Sequence, residues 1–138
     1  MDLTALIDRA SDAWNRQDRD AYVALHSEDY EIVTPTLTAA GHDGARAFWA
    51  VNFDPFPENQ VTVLRVVAEG ASVAEEGIFA GTNTGPLPMP DGTQLAATGA
   101  AVSVPYVAWH TVRDGMFVSS HFYWDSMTFL QQLGLIQQ

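Results

Sequence analysis

The stretch richest in chemically useful side chains is His121-Phe122-Tyr123-Trp124-Asp125. Alternate side chains of an extended strand point to the same face, which predicts a shared face for His121, Tyr123 and Asp125. Asp125 has no basic neighbour in sequence, so burial in an apolar pocket would raise its pKa and suit it to general acid/base catalysis. Asp125 also directly precedes a predicted helix, where aspartate is a favoured N-cap. Ser126 could cap that helix instead, so the sequence leaves both roles of Asp125 open.

His110 lies on the preceding predicted strand, across an Asp114-Gly115 hairpin turn. Pairing around a two-residue turn predicts the opposed pairs Arg113–Met116, His110–Ser119 and Ala108–His121. In that register His110 shares a face with His121 and Asp125, whereas a slip of one residue would reverse the face. A single strand histidine is often structural, but two histidines and an aspartate on one predicted face favour a site.

The remaining polar residues suggest fewer functions. Two histidines and a carboxylate could form a facial metal site, but no His-x-His or His-Glu-x-x-His spacing is present. We therefore expect no metal. Glu75 and Glu76 lie in a predicted strand, where one faces inward if the strand is continuous; the favoured interpretation is that both are in solvent. His26 and His42 are expected in solvent near helix ends.

The composition excludes several classes of function. The chain has 138 residues, a net charge of −11 and no cysteine, and all its basic residues are arginines. Such an acidic surface disfavours nucleic acids and anionic membranes as partners. The absence of lysine excludes Schiff-base chemistry and lysine-dependent phosphate loops. No stretch is typical of a membrane span or signal peptide, so we expect one cytoplasmic domain over residues 1–138.

The predicted elements place helices before strands. In order, they are helices over 3–14, 21–25 and 43–53, strands over 30–34, 61–68, 73–84, 101–112 and 116–124, and a closing helix over 127–133. This order predicts an α+β fold in which the N-terminal helices pack on a strongly curved antiparallel sheet. Gly77 and Gly81 would help a strand to bend. Such a cone encloses an apolar pocket at its open end.

Several segments together resemble the SnoaL-like polyketide cyclase family, which has the nuclear-transport-factor-like cone fold. They are Ala13-Trp14-Asn15-Arg16-Gln17-Asp18, Gly81-Thr82-Asn83-Thr84-Gly85-Pro86-Leu87, Ala97-Thr98-Gly99, Tyr123-Trp124-Asp125 and Leu130-Gln131-Gln132-Leu133-Gly134. The resemblance implies a cofactor-free enzyme that closes a ring of an aromatic polyketide by intramolecular aldol condensation. The alternatives are a non-catalytic small-molecule binding protein of the same fold and an epoxide hydrolase or isomerase-type enzyme.

The resemblance also implies a site. Asp125 occupies the position of the family's acid/base aspartate and His110 that of a family histidine, with His121 assisting. Tyr123 would hydrogen-bond a substrate oxygen. Trp14, Phe48 and Trp49 are core candidates that would also suit a flat polycyclic ligand. The chain departs from the family at two positions: Asn83, a further candidate for substrate binding, stands in place of a histidine, and His121 stands in place of an arginine. The implied partners are a small apolar or polycyclic molecule and a second copy of the chain, bound through the open sheet face.

Overall fold

In residues 2–89 and 91–137, which the computed structural model describes, the chain forms four helices and eight strands. The helices are α1 (Leu3–Asn15), α2 (Arg19–Val23), α3 (Gly41–Phe53) and α4 (Ser126–Gln132). The strands are β1 (His26–Val33), β2 (Thr38–Ala40), β3 (Gln60–Glu69), β4 (Ser72–Thr82), β5 (Leu87–Pro88), β6 (Gln94–Leu95), β7 (Ala101–Arg113) and β8 (Met116–Trp124). None of these helices is long and apolar enough to cross a membrane.

Helices α1, α2 and α4 each begin at an aspartate that caps them, whereas α3 has no side-chain cap. The Asp2 carboxylate accepts hydrogen bonds from the backbone N–H groups of Thr4 and Ala5, and Asp18 accepts one from Ala21. The apolar stripe of α1 then faces the sheet, where it buries Leu6, Ile7, Ala13 and Trp14. The first helix and the short second helix therefore form as the sequence predicts.

The main sheet has the strand order β2-β1-β8-β7-β4-β3. Its pairs are antiparallel apart from β1 and β8, which run parallel, so the sheet is mixed where the sequence predicted an antiparallel one. Strands β3, β4, β7 and β8 form a meander. Strand β1 pairs with β8 at one edge of this meander, and a long connection through β2 and α3 leads from β1 to β3. Strands β2, β5 and β6 are too short to give a periodic signal in sequence.

The sheet curves around one face. Register shifts interrupt the β3–β4 pairing between Val63 and Arg65 and the β7–β8 pairing between Thr111 and Val112, and such bulges increase local bending and twist. Helices α1 to α3 cover the concave face, which carries the main apolar core. A second core cluster forms beside α4 around Phe56, Leu87, Val102, Val104 and Leu133. This arrangement is the curved α+β cone that the sequence predicts.

Candidate functional site

The pairing of β7 with β8 decides which side chains reach the inside of the cone. Arg113 lies opposite Met116 as predicted, but Thr111 lies opposite Ser119 and Val112 opposite Phe117. One residue of β8, Val118, is therefore extra, and His110 pairs with Ser120 rather than Ser119. A shift of one residue exchanges the two faces of a strand. The predicted common face of His110 with His121, Tyr123 and Asp125 is wrong.

The three displaced residues lie outside the cone. His121 and Tyr123 are on the convex face, where their rings stack at 6.5 Å and Tyr123 is 59% exposed. The Asp125 carboxylate is also in solvent. It accepts hydrogen bonds from the backbone N–H groups of Met127 (3.0 Å) and Thr128 (3.2 Å) and from the Thr128 hydroxyl (2.8 Å). The Thr128 hydroxyl and the backbone N–H groups lower the pKa of Asp125, so this carboxylate is the cap of α4 and not a desolvated acid.

A different set of polar groups meets on the concave face. Glu75 Oε1 lies 2.7 Å from His110 Nε2, and the Tyr106 hydroxyl donates to Glu75 Oε2 at 2.9 Å. On its other side, His110 Nδ1 lies 2.6 Å from Ser120 Oγ. We refer to Tyr106, Glu75, His110 and Ser120 as the buried polar chain, because each is at most 9% exposed. The favoured prediction that Glu75 lies in solvent is wrong, since β4 is an inner strand of the sheet.

Strand register brings the members of the buried polar chain together. Glu75 lies opposite Ala108, so Tyr106 and His110 are its diagonal neighbours on the same face. Tyr106 lies opposite Gly77, and a Cβ atom on Gly77 would lie 2.6 Å from the Tyr106 hydroxyl oxygen. The ring therefore lies across the space that the glycine leaves open and reaches Glu75. Burial raises the pKa of Tyr106, and the neighbouring Glu75 carboxylate raises it further. The phenol therefore stays protonated and donates a hydrogen bond.

Aromatic rings surround the buried polar chain. The His110 ring packs 4.6 Å from Phe117 and 5.7 Å from Phe122. His26 lies beside them, with ring centroids 5.3 Å from Phe117 and 4.5 Å from Tyr30. Burial lowers the pKa of His26 to about 4, so its ring is neutral near pH 7. The expectation that His26 lies in solvent is wrong, because β1 starts at this residue and turns it inward.

The residues predicted to bind substrate are distributed over three environments. Trp14 is buried and donates its indole N–H to Asn59 Oδ1 at 2.6 Å. Phe48 packs on Phe122 with centroids 4.6 Å apart, in the layer between helices and sheet. Trp49 borders a surface cleft. Each of these aromatic rings packs against other rings of the core.

Asn83 has a structural position. Its side-chain N–H groups donate to the carbonyl oxygens of Pro55 and Gly85, both at 3.0 Å. Its Oδ1 accepts hydrogen bonds from the Thr98 N–H (2.8 Å) and hydroxyl (2.9 Å). Both side-chain N–H donors and both lone pairs of this fully buried amide are thus engaged, and no group is left for a ligand. Asn83 fastens the loop that contains β5 and β6 to the end of α3.

An open cleft of about 840 Å³ lies between α3 and the turn that joins α1 to α2. Its lining comprises Arg16, Gln17, Asp18, Arg19, Asp20, Trp49, Phe53 and Pro57. Trp49 and Phe53 stack at 4.1 Å, and Trp49 lies 5.5 Å from Tyr22, whose ring is 4.7 Å from His26. This series of rings connects the cleft with the surroundings of the buried polar chain.

The described side chains do not suggest a metal centre. Within residues 2–89 and 91–137, no three histidine, aspartate or glutamate side chains are placed to hold a metal ion. His110 has a carboxylate on one nitrogen and a hydroxyl on the other, which suits it to accept and return a proton. The arrangement therefore supports acid/base chemistry.

Comparison with known proteins agrees with this fold. The profile of the SnoaL-like domain family matches residues 7–120. A sequence comparison with curated proteins finds no match. A solved structure of a candidate SnoaL-like polyketide cyclase from Jannaschia sp. CCS1 is 25% identical, with a TM-score of 0.83 over 96% of this chain and 92% of the other.

Two further solved structures share the fold at lower identity. AclR, a candidate hydroxylase from Streptomyces galilaeus, is 23% identical, with a TM-score of 0.83 over 98% of this chain and 86% of its own. TerC, which was co-crystallised with polyporic acid, is 16% identical, with a TM-score of 0.75 over 95% of this chain and 97% of its own.

Proposed function

We propose that this chain, which belongs to the SnoaL-like domain family, is a cofactor-free acid/base enzyme acting on a flat, polyketide-like ketone. The reaction is removal of a proton from the carbon next to a carbonyl, followed by intramolecular aldol ring closure. The observation that carries this proposal is the 2.7 Å contact between Glu75 and His110 inside an aromatic enclosure. His110 takes the role of base that the family resemblance implied for Asp125.

An ionised carboxylate only accepts hydrogen bonds, so we place a proton on each group that faces Glu75. The Glu75 carboxylate accepts from the Tyr106 hydroxyl, and its other oxygen accepts from His110 Nε2–H. The lone pair of His110 is then on Nδ1, where the Ser120 hydroxyl donates to it. A bound substrate would replace Ser120 at Nδ1 and give up its carbon-bound proton there. The adjacent Glu75 carboxylate stabilises the imidazolium that forms.

The same proton completes the reaction. The enolate carbon attacks a second carbonyl carbon of the substrate and forms the new C–C bond. The resulting alkoxide takes the proton from His110 Nδ1, which restores the neutral ring. The enclosure folds the substrate so that the two carbons meet. No oxidant, reductant or metal is needed for the proton balance.

The test is deuterium exchange at the α-carbon of 1-tetralone in D2O, followed by NMR. We expect His110→Asn to lower the enzyme-dependent rate by about 10²- to 10⁴-fold, because it removes the base. Glu75→Gln lowers the rate as well, since an amide does not stabilise the imidazolium. His121→Asn, on the convex face, is the matched control and keeps the wild-type rate. Exchange by the wild type no faster than by His110→Asn would refute the proposal.

A non-catalytic binding protein is the second candidate. It is favoured by the deep burial of His110 and Ser120, which are 4% and 1% exposed. TerC was co-crystallised with polyporic acid, and a flat aromatic ligand of that kind would suit the enclosure here. Binding of such a ligand with equal affinity by the wild type and His110→Asn, without α-proton exchange by either, would favour this candidate.

An arginine-dependent epoxide hydrolase is not supported, because all six arginines are exposed.

We also propose that two copies of the chain associate through the convex face. A row of paired residues crosses this face from Val67 through Ala74, Trp109 and His121 to Val33. Val67 is 62% and Trp109 is 52% exposed. Such exposed apolar area on a regular sheet surface is typical of an interface. Trp109→Arg should yield a monomer in analytical ultracentrifugation. The matched control Thr36→Arg, in the β1–β2 connection, should remain dimeric, and a monomeric wild type would refute this proposal.

A further inference from the structure

Tyr30 carries a buried phenol that lies beside Ser120 but makes no hydrogen bond of good geometry. Among the residues that the structure describes, its hydroxyl is the only buried side-chain oxygen or nitrogen without a hydrogen bond of good geometry. The residue itself is 0% exposed. Buried polar groups are nearly always satisfied, because an unpaired hydroxyl loses its hydrogen bonds to water and gains none in return. An orphaned phenol inside a core therefore points to a partner that is absent from the free chain.

The position of Tyr30 places it at the buried polar chain. The β1–β8 pairing shifts register between His26 and Glu31, and both His26 and Tyr30 are buried on the inner side of β1. The Tyr30 ring packs edge-on against His26 with centroids 4.5 Å apart. Its hydroxyl lies next to Ser120, which bonds to His110 Nδ1. The Tyr30 hydroxyl and the proposed base thus lie on either side of Ser120.

The Tyr30 phenol has the right protonation state to donate. Burial raises its pKa and the Glu75 charge raises it further, while the neighbouring Ser120 hydroxyl opposes this shift only in part. The group is a neutral O–H over the whole pH range in which the fold is expected to function. The phenolate form of Tyr30 is disfavoured, so the hydroxyl can donate a hydrogen bond without losing its proton to solvent.

We propose that Tyr30 is a further catalytic residue that donates its hydroxyl hydrogen bond to the reacting carbonyl oxygen of the substrate. This inference rests on the proposed acid/base function and adds the group that holds the enolate. When His110 Nδ1 takes the carbon-bound proton, the electron pair of the C–H bond moves to the carbonyl oxygen. The hydrogen bond from Tyr30 strengthens as that charge grows, and the Tyr30 O–H bond stays intact.

A thermodynamic cycle tests this contact without catalysis. The probes are 1-naphthol and naphthalene, which differ by one oxygen, and their dissociation constants are measured with wild type and Tyr30→Phe. The wild type should bind 1-naphthol about tenfold more tightly than naphthalene. Tyr30→Phe should lose that preference, and its melting temperature should stay equal or rise because the unpaired hydroxyl is gone. Tyr123→Phe removes an exposed hydroxyl and is the matched control, expected to keep the preference.

The outcomes separate this inference from the proposed function. If Tyr30→Phe keeps both the naphthol preference and the wild-type exchange rate of 1-tetralone, while His110→Asn abolishes exchange, the role of Tyr30 is refuted and the acid/base function stands. If Tyr30→Phe loses the preference but the wild type shows no exchange, Tyr30 binds the ligand oxygen and the acid/base function fails. A fall of about 10²-fold in exchange with Tyr30→Phe, together with the lost preference, supports both.

Discussion

Acidification should destabilise this protein through His26. The ring is 2% exposed, its Nδ1 lies 2.9 Å from the Tyr22 carbonyl oxygen, and the rings of Tyr22, Tyr30 and Phe117 enclose it. Burial lowers its pKa from 6.5 to about 4; the Tyr22 carbonyl contact opposes this shift, and nearby His110 adds to it slightly. The folded protein therefore binds this proton more weakly than the unfolded chain does.

The direction of the effect follows from linkage. The stabilisation is fully present above pH 6.5 and is lost as the pH falls from 6.5 towards 4, since the unfolded chain takes up the proton first. The difference between the pKa values of 6.5 and about 4 corresponds to roughly 3 kcal/mol at its limit. Between pH 7 and pH 5, the same two pKa values give a loss of about 2 kcal/mol in the free energy of unfolding.

Urea unfolding followed by tryptophan fluorescence at pH 7 and pH 5 measures this loss. His26→Gln keeps a side-chain N–H donor but does not titrate, so its free energy of unfolding should vary much less over this range. Its absolute stability is lower at pH 7 because the amide fills the aromatic enclosure less well. His121→Gln changes a histidine outside the core and is the matched control, so it should retain the wild-type pH dependence. Equal pH dependence in the wild type and His26→Gln would refute the assignment of this effect to His26.

Three further predictions concern the scaffold of the site. Asn83→Ala removes four hydrogen bonds of a buried amide and should cost about 3 kcal/mol or more in urea unfolding; a loss under 1 kcal/mol would contradict the role of Asn83 in fastening its loop. Gly77→Ala would put a methyl group 2.6 Å from the Tyr106 hydroxyl oxygen, so it should displace that ring and lower 1-tetralone exchange, as should Tyr106→Phe. Asp125→Asn preserves a good helix cap and should leave both the melting temperature and the exchange rate of 1-tetralone unchanged. Loss of exchange in a folded variant would show that Asp125 is the base.

The buried polar chain depends on the shape of the sheet more than on any sequence motif. Its members come from three different strands, and register alone makes them neighbours. Glu75 could have been found from sequence by alternation, because Val73, Glu75 and Gly77 share a face of β4 that has no other polar side chain. Ser120 and Tyr30 gave no such signal, since their importance lies in what surrounds their hydroxyl groups.

Sequence alone determined the fold class, most element bounds and the family. Amphipathic spacing, helix caps and the Asp114-Gly115 turn are local properties, and a local pattern is sufficient to specify a helix or a hairpin. The tertiary structure decided which face of β8 points inward. The extra residue Val118 moves His121, Tyr123 and Asp125 outside and leaves His110 with Ser120 inside. A bulge of this kind depends on the fit of neighbouring strands, and burial and hydrogen-bond satisfaction exist only once those strands have packed.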